Sequence, residues 1–373
     1  MIISLFYPSL GGAQQQALIL SEHLIKKGIP VSVLTRSLKG RPSFEMIRGV
    51  PVYRRIRTLT WGKWFGVTYL LSVLWFLYRQ RHTYDIIHCH ILQGLHSAAS
   101  LLLKFFFKKK VIIKVAATGP LSDFSTLRKM FLGNLLLKKI RSADRIVTVC
   151  AQSKQEALKQ GFRPSSIIQI SNGVDTRCFK PSPSGRVSAG KVIFVGRLDA
   201  MKAVHVLIEA FKKLKDEGSA ASLDIIGDGP DMDRLKRLKD SLGLNRSVNF
   251  CGEKQGVVKH LQESTVFVLP SLSEGLSNVI LEAMACALPV VVTRVGGTAD
   301  LIQDGINGIL VEPNSPDLLK EALKRILEDK NLAEKMGAEA RKTVEEKFSM
   351  EYVSERYMSI YQELQASDKE KTL

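Results

Sequence analysis

The sequence predicts an α/β protein built from two doubly wound domains. Short runs of β-branched and aliphatic residues alternate with helical stretches along almost the whole chain, which is typical of parallel sheets with helices on both faces. This rhythm restarts at Val192, after a Pro/Ser/Gly cluster at residues 180–185. A chain of 373 residues is long for one domain and comfortable for two.

The individual elements follow from these runs. In the first half we predict strands over residues 2–7, 30–35, 85–89, 111–115 and 145–150. In the second half we predict strands over residues 192–195, 223–226, 248–251, 266–269, 289–292 and 308–311. Helices fit between them, for example over residues 14–27, 154–160, 205–216, 231–242 and 278–287. We therefore place one domain at residues 1–180, a second at 181–350, and at 351–373 a C-terminal helix that can cross back to the first.

The net charge of +18 is concentrated in the first half of the chain. Residues 1–180 carry 28 Lys and Arg against 7 Asp and Glu, whereas the remainder carries 26 against 29. A domain this basic suggests an anionic partner: nucleic acid, a phosphorylated substrate or an anionic membrane leaflet. The five cysteines show no C-x-x-C spacing, which argues against a zinc site or a disulfide framework and fits a reducing cytosol.

Residues 64–78 form one long apolar segment between Lys63 and Arg79. The segment is shorter than the roughly 20 residues that span a bilayer. Three interpretations stay open: a helix packed on a sheet, a helix lying partly in a membrane surface, or, least favoured by the length, a helix that spans the membrane. The second would be aided by tryptophans and arginines in and near the segment, namely Trp61, Trp64, Trp75, Arg54, Arg55 and Arg57.

A strand, a loop and a helix follow one another around Glu274. The helix is expected to begin near Ser277, and its unpaired N–H groups and positive dipole end would attract an anion such as a diphosphate. Gly275 lets the backbone approach a ligand closely. Glu274 could accept hydrogen bonds from sugar hydroxyls, and Glu282, two turns along the helix, from ribose hydroxyls. The alternative is that Glu274 caps the helix and Glu282 is solvated.

Two cations follow the first strand of the second half. Arg197 and Lys202 lie on the side where ligands of such sheets bind, and they could neutralise a diphosphate leaving group. The sequence contains neither G-x-x-x-x-G-K-[ST] nor a complete G-x-G-x-x-G. The D-x-D at Asp231 and Asp233 is interpreted as a helix N-cap rather than a metal site.

These stretches together resemble a known family. Glu274 and Glu282 match the E-x7-E signature of the retaining GT-B glycosyltransferases in the large glycogen-synthase-like "group 1" family. Other segments agree in the right order between about Ser4 and Pro313: Gly11-Gly-Ala-Gln14, Ile170-Ser-Asn-Gly-Val-Asp175, Val195-Gly-Arg-Leu-Asp199 with Lys202, Gly227-Asp-Gly229, and Val295-Gly-Gly-Thr298 with Asn307-Gly-Ile-Leu-Val311. One departure is Ala203, which stands where the family often has Gly.

The resemblance implies a GT-B fold in which two Rossmann-like domains, one binding the acceptor and one the donor, face each other across a cleft. It implies transfer of a hexose-type sugar from a nucleoside diphosphate to a hydroxyl acceptor, with retention, without a cofactor and without a metal. The implied catalytic residues are His96, Arg197, Lys202 and Glu274. The implied donor-binding residues are Gly12, Gly196, Gly227, Gly252, Gly275, Leu276, Ser277, Asn278 and Glu282.

The first domain is expected to supply the remaining contacts. The family carries a histidine there that contacts the donor sugar; His96 is the first choice and His90 the second. On the acceptor side we place His90, Gly119 and Arg128. The basic, aromatic-rich composition favours a lipid-linked or cell-envelope glycan as acceptor, as in polysaccharide biosynthesis. It also favours a cytoplasmic location, peripheral on the inner face of the plasma membrane.

Other functions stay open at this stage. A nucleotide-sugar epimerase or a phosphorylase would share the GT-B fold, although Arg197 and Lys202 with Glu274 and Glu282 favour a transferase. Nucleic-acid binding rests on charge alone, and no nucleic-acid motif supports it. A dinucleotide dehydrogenase is disfavoured by the missing glycine fingerprint. The donor base, the donor sugar and the oligomeric state are undetermined by the sequence.

Overall fold

The computed structural model describes residues 1–8, 11–59, 64–92, 95–119, 122–130, 132–183 and 190–369. Two compact units make up the chain: Met1–Gly173 with Met350–Leu373, and Val174–Ser349. The first boundary therefore lies ahead of the one predicted at residue 180. Three parts of the sequence used above lie outside the described residues: Trp61 with Lys63, residues 184–185 of the Pro/Ser/Gly cluster, and residues 370–373 of the predicted C-terminal helix.

The first unit contains two sets of paired strands joined by one residue. Its described strands are β1 (Val33–Arg36), β2 (Phe44–Ile47), β3 (Val50–Ile56), β4 (Ile86–Cys89), β5 (Lys110–Val115), β6 (Arg145–Thr148) and β7 (Ile167–Gln169). They form sheets of order β1-β3-β2 and β4-β5-β6-β7. Ile2 forms parallel bridges to both Leu34 of β1 and Cys89 of β4, so it connects the two sheets.

The sequence analysis was wrong about two features of this sheet. The strand predicted over residues 2–7 is reduced to the bridge at Ile2, because the chain bends at Ser4 and Leu5 and turns at Tyr7 and Pro8. The hairpin of β2 and β3 was not predicted. Its turn is Arg48-Gly49, with φ of 51° and 80°, a two-residue turn in which the Arg has none of the usual preference for positive φ.

The helices of the first unit include the end of the chain. They are α1 (Gly12–Lys26), α2 (Trp64–Arg79), α3 (Leu95–Phe107), α4 (Asp123–Lys129), α5 (Gly133–Ile140), α6 (Ala151–Lys159) and α14 (Met350–Lys369). Helix α14 packs with α1 in one core cluster, in which Leu20 and Leu24 meet Val353 and Tyr357. Because of this packing, the C-terminal helix belongs to the first unit. None of the helices in the described part of the chain combines the length and hydrophobicity needed to cross a membrane.

The second unit is a parallel sheet of six strands within its described residues. The strands are β8 (Lys191–Val195), β9 (Ser222–Ile226), β10 (Val248–Gly252), β11 (Val266–Leu269), β12 (Val290–Thr293) and β13 (Ile309–Val311). The helices are α7 (Val204–Asp216), α8 (Met232–Ser241), α9 (Val258–Gln262), α10 (Asn278–Ala285), α11 (Thr298–Leu301), α12 (Pro316–Glu328) and α13 (Lys330–Lys347). The order β10-β9-β8-β11-β12-β13 confirms the predicted doubly wound arrangement.

This strand order determines where a ligand can bind in the second unit. From β8 the sheet grows in one direction through β9 and β10, and from β11 it grows in the other through β12 and β13. The order therefore reverses between β8 and β11, and the connections leaving their carboxyl ends diverge. Open α/β sheets bind their ligands in the crevice at such a switch point. The loops that follow β8 and β11 are therefore the first place to look for a site.

Candidate functional site

The loops that follow β8 and β11 lie side by side. The two strands pair in parallel, with Val192 opposite Val266 and Ile193 opposite Phe267. Beyond the strands, the Leu272 backbone N–H donates to the Met201 carbonyl at 2.8 Å. This contact brings the loop that carries Lys202 against the loop that carries Glu274.

The side chains of Lys202 and Glu274 form an ion pair at this junction. Lys202 Nζ lies 2.5 Å from Glu274 Oε1, and the side chains are 22% and 9% exposed. Ser271 Oγ donates to the same carboxylate oxygen at 2.6 Å. Two residues predicted from separate motifs, 72 positions apart, are thus in direct contact.

The backbone before Lys202 is held by a carboxylate that the sequence analysis did not single out. Residues Ala200–Lys202 form one turn of 3-10 helix, and Asp199 Oδ1 accepts from the N–H groups of Met201 and Lys202 at 3.1 and 3.3 Å. Ala203 follows with φ of 47°, in the left-handed region that favours glycine. The family's usual Gly at this position fits that conformation, and Ala203 adopts it while Lys202 keeps its place.

Arg197 differs from Lys202 in its exposure. Its side chain is 72% exposed, and its Nε lies 3.7 Å from Asp199 Oδ2. Both cations follow β8, but only Lys202 is held against Glu274. Arg197 therefore extends into solvent beside the site and is free to reorient towards an anion.

Glycines allow the loops after β9 and β10 to approach the loop after β8 at the same edge of the sheet. A Cβ at Gly227 would lie 1.9 Å from the carbonyl oxygen of Gly196, and one at Gly229 would lie 2.2 Å from that of Leu198. The Gly227 N–H donates to the Gly252 carbonyl at 2.9 Å. Gly196, Gly227 and Gly252 thus mark the ends of β8, β9 and β10, where no side chain would fit between the first two.

Helix α10 begins directly after the Glu274 loop. Ser277 occupies its N-cap position, and the Ser277 side chain makes no capping hydrogen bond within the described structure. The Gly275 carbonyl accepts from the Gly297 N–H at 2.7 Å, which ties the loop to the residues after β12. Leu276 and Ser277 are buried, and Asn278 is the first helical residue.

The second carboxylate of the signature, Glu282, lies on α10 and is 8% exposed. The alternative of a solvated surface carboxylate is therefore wrong. Glu282 also lies near Cys286, whose thiol pKa is raised to about 12 by burial and by this negative charge. A buried acceptor on this helix is compatible with the predicted ribose contact, which stays a prediction.

The histidines predicted to contact the donor sugar are inside the first unit. His96 is fully buried; its Nδ1 lies 3.2 Å from the Tyr69 hydroxyl and its Nε2 lies 3.0 Å from the Ile91 carbonyl. His90 is 1% exposed and stacks on His88 with 4.3 Å between ring centroids. Burial lowers the pKa of His96 to about 4 and lowers the pKa values of His88 and His90 well below 6.5. All three are therefore neutral at physiological pH.

The other residues predicted in the first unit are spread over several elements. Gly12 is the first residue of α1. The Gly119 N–H donates to Glu156 Oε1 at 2.9 Å, and Gly119 has φ of 76°. Arg128 lies exposed in the last turn of α4. The donor role of Gly12 and the acceptor roles of Gly119 and Arg128 stay predictions.

The family-like segment Asn172-Gly-Val-Asp175 contributes a buried polar contact. Lys114 Nζ donates to Asn172 Oδ1 at 2.9 Å, and both side chains are buried. Burial lowers the pKa of Lys114 to about 8. Asn172, one residue before the boundary at Gly173, is therefore a hydrogen-bond partner of a buried lysine on β5.

The D-x-D sequence is found at a helix N-terminus, as predicted, although its first carboxylate does not act as a cap. Asp231 holds the N-cap position of α8, but its Oδ2 accepts from Arg234 Nη2 at 3.2 Å. Asp233 lies in the first turn, where the helix dipole favours a negative charge. The described residues contain no group of three or more His, Cys, Asp or Glu arranged to hold a metal ion.

Two contacts in the site were missed by sequence reasoning. Ser271 shares the oxygen of Glu274 that binds Lys202, and Asp199 holds the turn before Lys202. Each lies three residues from the residue that it supports. That short separation is the only signal in the sequence, and it is too common to identify them.

Comparison with known families matches both halves of the chain. Residues 183–343 match the family described as glycosyl transferases group 1, and residues 10–177 match glycosyltransferase family 4. An uncharacterized glycosyltransferase of Methanocaldococcus jannaschii is 31% identical over 94% of both chains. N-acetyl-alpha-D-glucosaminyl L-malate synthase of Bacillus anthracis is 27% identical over 97% of both chains.

Solved structures share the fold over nearly the whole chain. Anabaena HepE in complex with UDP superposes with a TM-score of 0.78 at 19% identity, covering 97% of this chain and 99% of that one. Sucrose-phosphate synthase from Thermosynechococcus elongatus superposes with a TM-score of 0.81 at 21% identity, covering 98% and 100%. At these identities the likeness establishes the fold.

The close approach of the loops after β8 and β9 predicts that Gly227→Ala is strongly destabilising. The new Cβ would overlap the Gly196 carbonyl at 1.9 Å, and Gly227 also has φ of 137°. Gly218→Ala is a matched control, because Gly218 has φ of 86° with nothing within 4 Å of its Cβ position. We expect a loss of about 1 kcal/mol for Gly218→Ala and roughly 3 kcal/mol or more for Gly227→Ala in urea unfolding. Equal losses of unfolding free energy in the two variants would show that the overlap between the new Cβ and the Gly196 carbonyl does not destabilise the protein.

The buried histidines predict that the stability of the first unit falls as the pH drops from 6.5 towards 4. Unfolded His96 takes up a proton near pH 6.5, whereas folded His96 does so only near pH 4. The lower folded pKa makes protonation favour the unfolded state, by up to about 3 kcal/mol for this residue. Urea unfolding followed by tryptophan fluorescence reports on this unit, because all three tryptophans lie at positions 61, 64 and 75.

In the variant His96→Gln the pH dependence should become shallower, even though the variant is less stable at neutral pH. The exposed His82 provides the control, since His82→Asn should leave the slope unchanged. Identical slopes in the wild type and His96→Gln would rule out the buried neutral histidine as the cause.

Proposed function

The chain belongs to the group 1 glycosyltransferases of the GT-B fold, and we propose that it transfers a hexose-type sugar from a nucleoside diphosphate to a hydroxyl acceptor. The observation that carries this proposal is the contact between Lys202 and Glu274 at the switch point of the second unit. A diphosphate needs cations, and sugar hydroxyls need acceptors. Here one of each is held at the same sheet edge.

Lys202 and Glu274 neutralise each other's charge in the structure. We propose that the donor diphosphate replaces Glu274 as the partner of Lys202. Glu274 would then accept hydrogen bonds from the sugar hydroxyls, with Ser271 still donating to its carboxylate. Exposed Arg197 would join Lys202 on the diphosphate. The exchange replaces one charge-assisted hydrogen bond by others, so binding does not leave a buried charge unpaired.

Transfer breaks the bond between the anomeric carbon and the diphosphate oxygen, and it forms a bond from that carbon to the acceptor oxygen. Negative charge develops on the leaving diphosphate, and Lys202 and Arg197 stabilise it most in the transition state. The acceptor hydroxyl passes its proton to the leaving diphosphate oxygen as the new bond forms. We propose that the new bond has the same anomeric configuration as the donor and that no metal is required.

The backbone around α10 completes the proposed donor site. Gly275, Leu276, Ser277 and Asn278 present N–H groups at the positive end of the helix dipole. Glu282 is buried on the same helix, and we propose that its carboxylate accepts hydrogen bonds from the ribose hydroxyls. The contact between Gly196 and Gly227 brings the ends of β8 and β9 together, and Gly252, with nothing within 4 Å of its Cβ position, leaves the end of β10 open to the nucleotide.

The printed names of relatives suggest which donors to test first. One relative is an N-acetyl-alpha-D-glucosaminyl L-malate synthase, and another, from Homo sapiens, is a phosphatidylinositol N-acetylglucosaminyltransferase subunit. The HepE structures contain UDP and UDP-glucose. We therefore propose a UDP-hexose as donor, with UDP-N-acetylglucosamine and UDP-glucose as the first candidates. The proposed acceptor is a lipid-linked or cell-envelope glycan on the cytoplasmic side of a membrane.

Substitutions at the pair separate diphosphate binding from sugar positioning. Lys202→Ala should weaken binding of UDP and of the donor, and it should lower kcat by about 10²–10³-fold, because it removes a cation from the leaving group. Glu274→Gln should lower kcat similarly. UDP should bind this variant at least as tightly as the wild type, because Lys202 no longer has to break an ion pair with Glu274 before it contacts the diphosphate. Calorimetry with UDP and a UDP-release assay with a panel of nucleotide sugars measure the two effects.

The second unit offers a matched control for this experiment. Lys213 and Asp317 form an ion pair of the same length, 2.5 Å, between exposed side chains. Lys213→Ala should change neither UDP binding nor turnover. The proposal fails if no nucleotide sugar binds the wild type, or if Lys202→Ala and Glu274→Gln turn over as fast as Lys213→Ala.

A further inference from the structure

Helix α2 carries apolar side chains on two opposite faces. One stripe, formed by Tyr69, Val73, Phe76 and Leu77, is buried in the core of the first unit. The opposite stripe, spaced by three and four residues, is exposed and consists of Trp64, Val67, Leu71, Trp75 and Tyr78. A helix that is apolar all round is normally buried on all sides. The outward stripe of α2 is instead accessible to solvent.

Helix α3 shows an inverted distribution of polarity. Its buried residues include His96, Ser97 and Ser100. At its C-terminal end the large side chains Phe105 and Phe106 are 81% and 67% exposed. Burial of polar groups and exposure of phenylalanines on one helix is the reverse of what a solvated surface helix requires.

The exposed parts of α2 and α3 are neighbours. Gly66 near the start of α2 faces Leu95 at the start of α3, and the rings of Tyr78 and Phe107 at their ends lie 5.6 Å apart. The two helices therefore run side by side in the same direction. We call the outward stripe of α2 together with the exposed end of α3 the aromatic face.

Cations surround the aromatic face. Residues 64–110, which include both helices, carry six Lys and Arg against one Asp. The Arg79 guanidinium lies 5.3 Å from the Trp75 ring centroid, and the Arg81 guanidinium lies 4.4 Å from that of Tyr78. Lys108, directly after α3, is exposed. Arg54, which the sequence analysis counted among these cations, is instead buried and paired with Glu45, so it does not contribute.

We propose that the aromatic face docks on an anionic lipid bilayer, with the aromatic side chains in the interfacial layer and the flanking cations among the headgroups. Tryptophan and phenylalanine beside arginine and lysine suit this layer, where apolar depth and negative charge occur together. A protein partner would need a complementary acidic surface at every flanking position. A bilayer supplies negative charge wherever the cations fall. No helix has to cross the membrane for this contact.

This inference is independent of the donor site, because every residue of the aromatic face lies in the first unit and none is part of the Lys202–Glu274 pair. Loss of bilayer binding would leave UDP binding intact. Loss of UDP binding would leave bilayer binding intact. The two proposals can therefore fail separately.

The test uses the full chain with vesicles of phosphatidylcholine, with and without phosphatidylglycerol. The wild type should sediment with the anionic vesicles and much less with the neutral ones, and added salt should weaken the binding. Because Trp64 and Trp75 lie on the face, their emission should shift to shorter wavelength, and lipids brominated along the acyl chain should quench it.

Two variants test the two halves of the contact. Phe105→Ser with Phe106→Ser should weaken binding by about tenfold or more, because two exposed apolar side chains no longer enter the bilayer. Arg79→Glu with Lys108→Glu should weaken it by a similar factor or more and should flatten its salt dependence. Both pairs are exposed, so urea unfolding should show little change in stability.

The control replaces exposed apolar residues of the second unit. Ile306→Ser with Leu318→Ser removes side chains that are 53% and 49% exposed, and it should leave vesicle binding unchanged. Equal binding to neutral and anionic vesicles, or wild-type binding by both face variants, would overturn the proposal. So would concentration-dependent self-association in ultracentrifugation that the Phe105/Phe106 variant abolishes while vesicles do not bind, because the face would then be an interface between copies of this chain.

Discussion

The ion pair between Lys202 and Glu274 is the contact on which the candidate site depends. It joins the loops that leave two adjacent parallel strands whose connections run in opposite directions. The strand order brings the two loops to one edge of the sheet, and the ion pair holds the side chains of Lys202 and Glu274 against each other. Because each charge has the other as its partner, neither is left buried and uncompensated.

Glycines allow the loops after β8 and β9 to lie equally close together through backbone contacts. At Gly227 and Gly229 the backbone of one loop lies against the backbone of the next, with no room for a Cβ. A side chain there would push the strand ends apart and widen the crevice. The cation, the carboxylate and the bare backbone are therefore consequences of one constraint, which is that several strand ends converge at the switch point.

The first unit distributes polarity in a different way. It buries His88, His90, His96 and Lys114, each with a lowered pKa, and it exposes tryptophan and phenylalanine on α2 and α3. Buried neutral bases cost stability when they are protonated, and exposed aromatic side chains cost solubility. The exposed aromatic side chains are the part of this distribution that the proposed bilayer contact would cover.

The sequence by itself determined the α/β class and the six described strands of the second unit, because buried parallel strands leave strong local patterns. Through the family resemblance it also assigned Lys202 and Glu274 to one donor site, although their direct contact came from the structure. It did not reveal the hairpin at Arg48-Gly49, since that turn lacks the residues that prefer positive φ. Contacts such as Ser271 with Glu274, and the two faces of α2, were decided only by the tertiary structure. Periodicity shows that a helix is apolar, but only packing determines which of its apolar faces is covered.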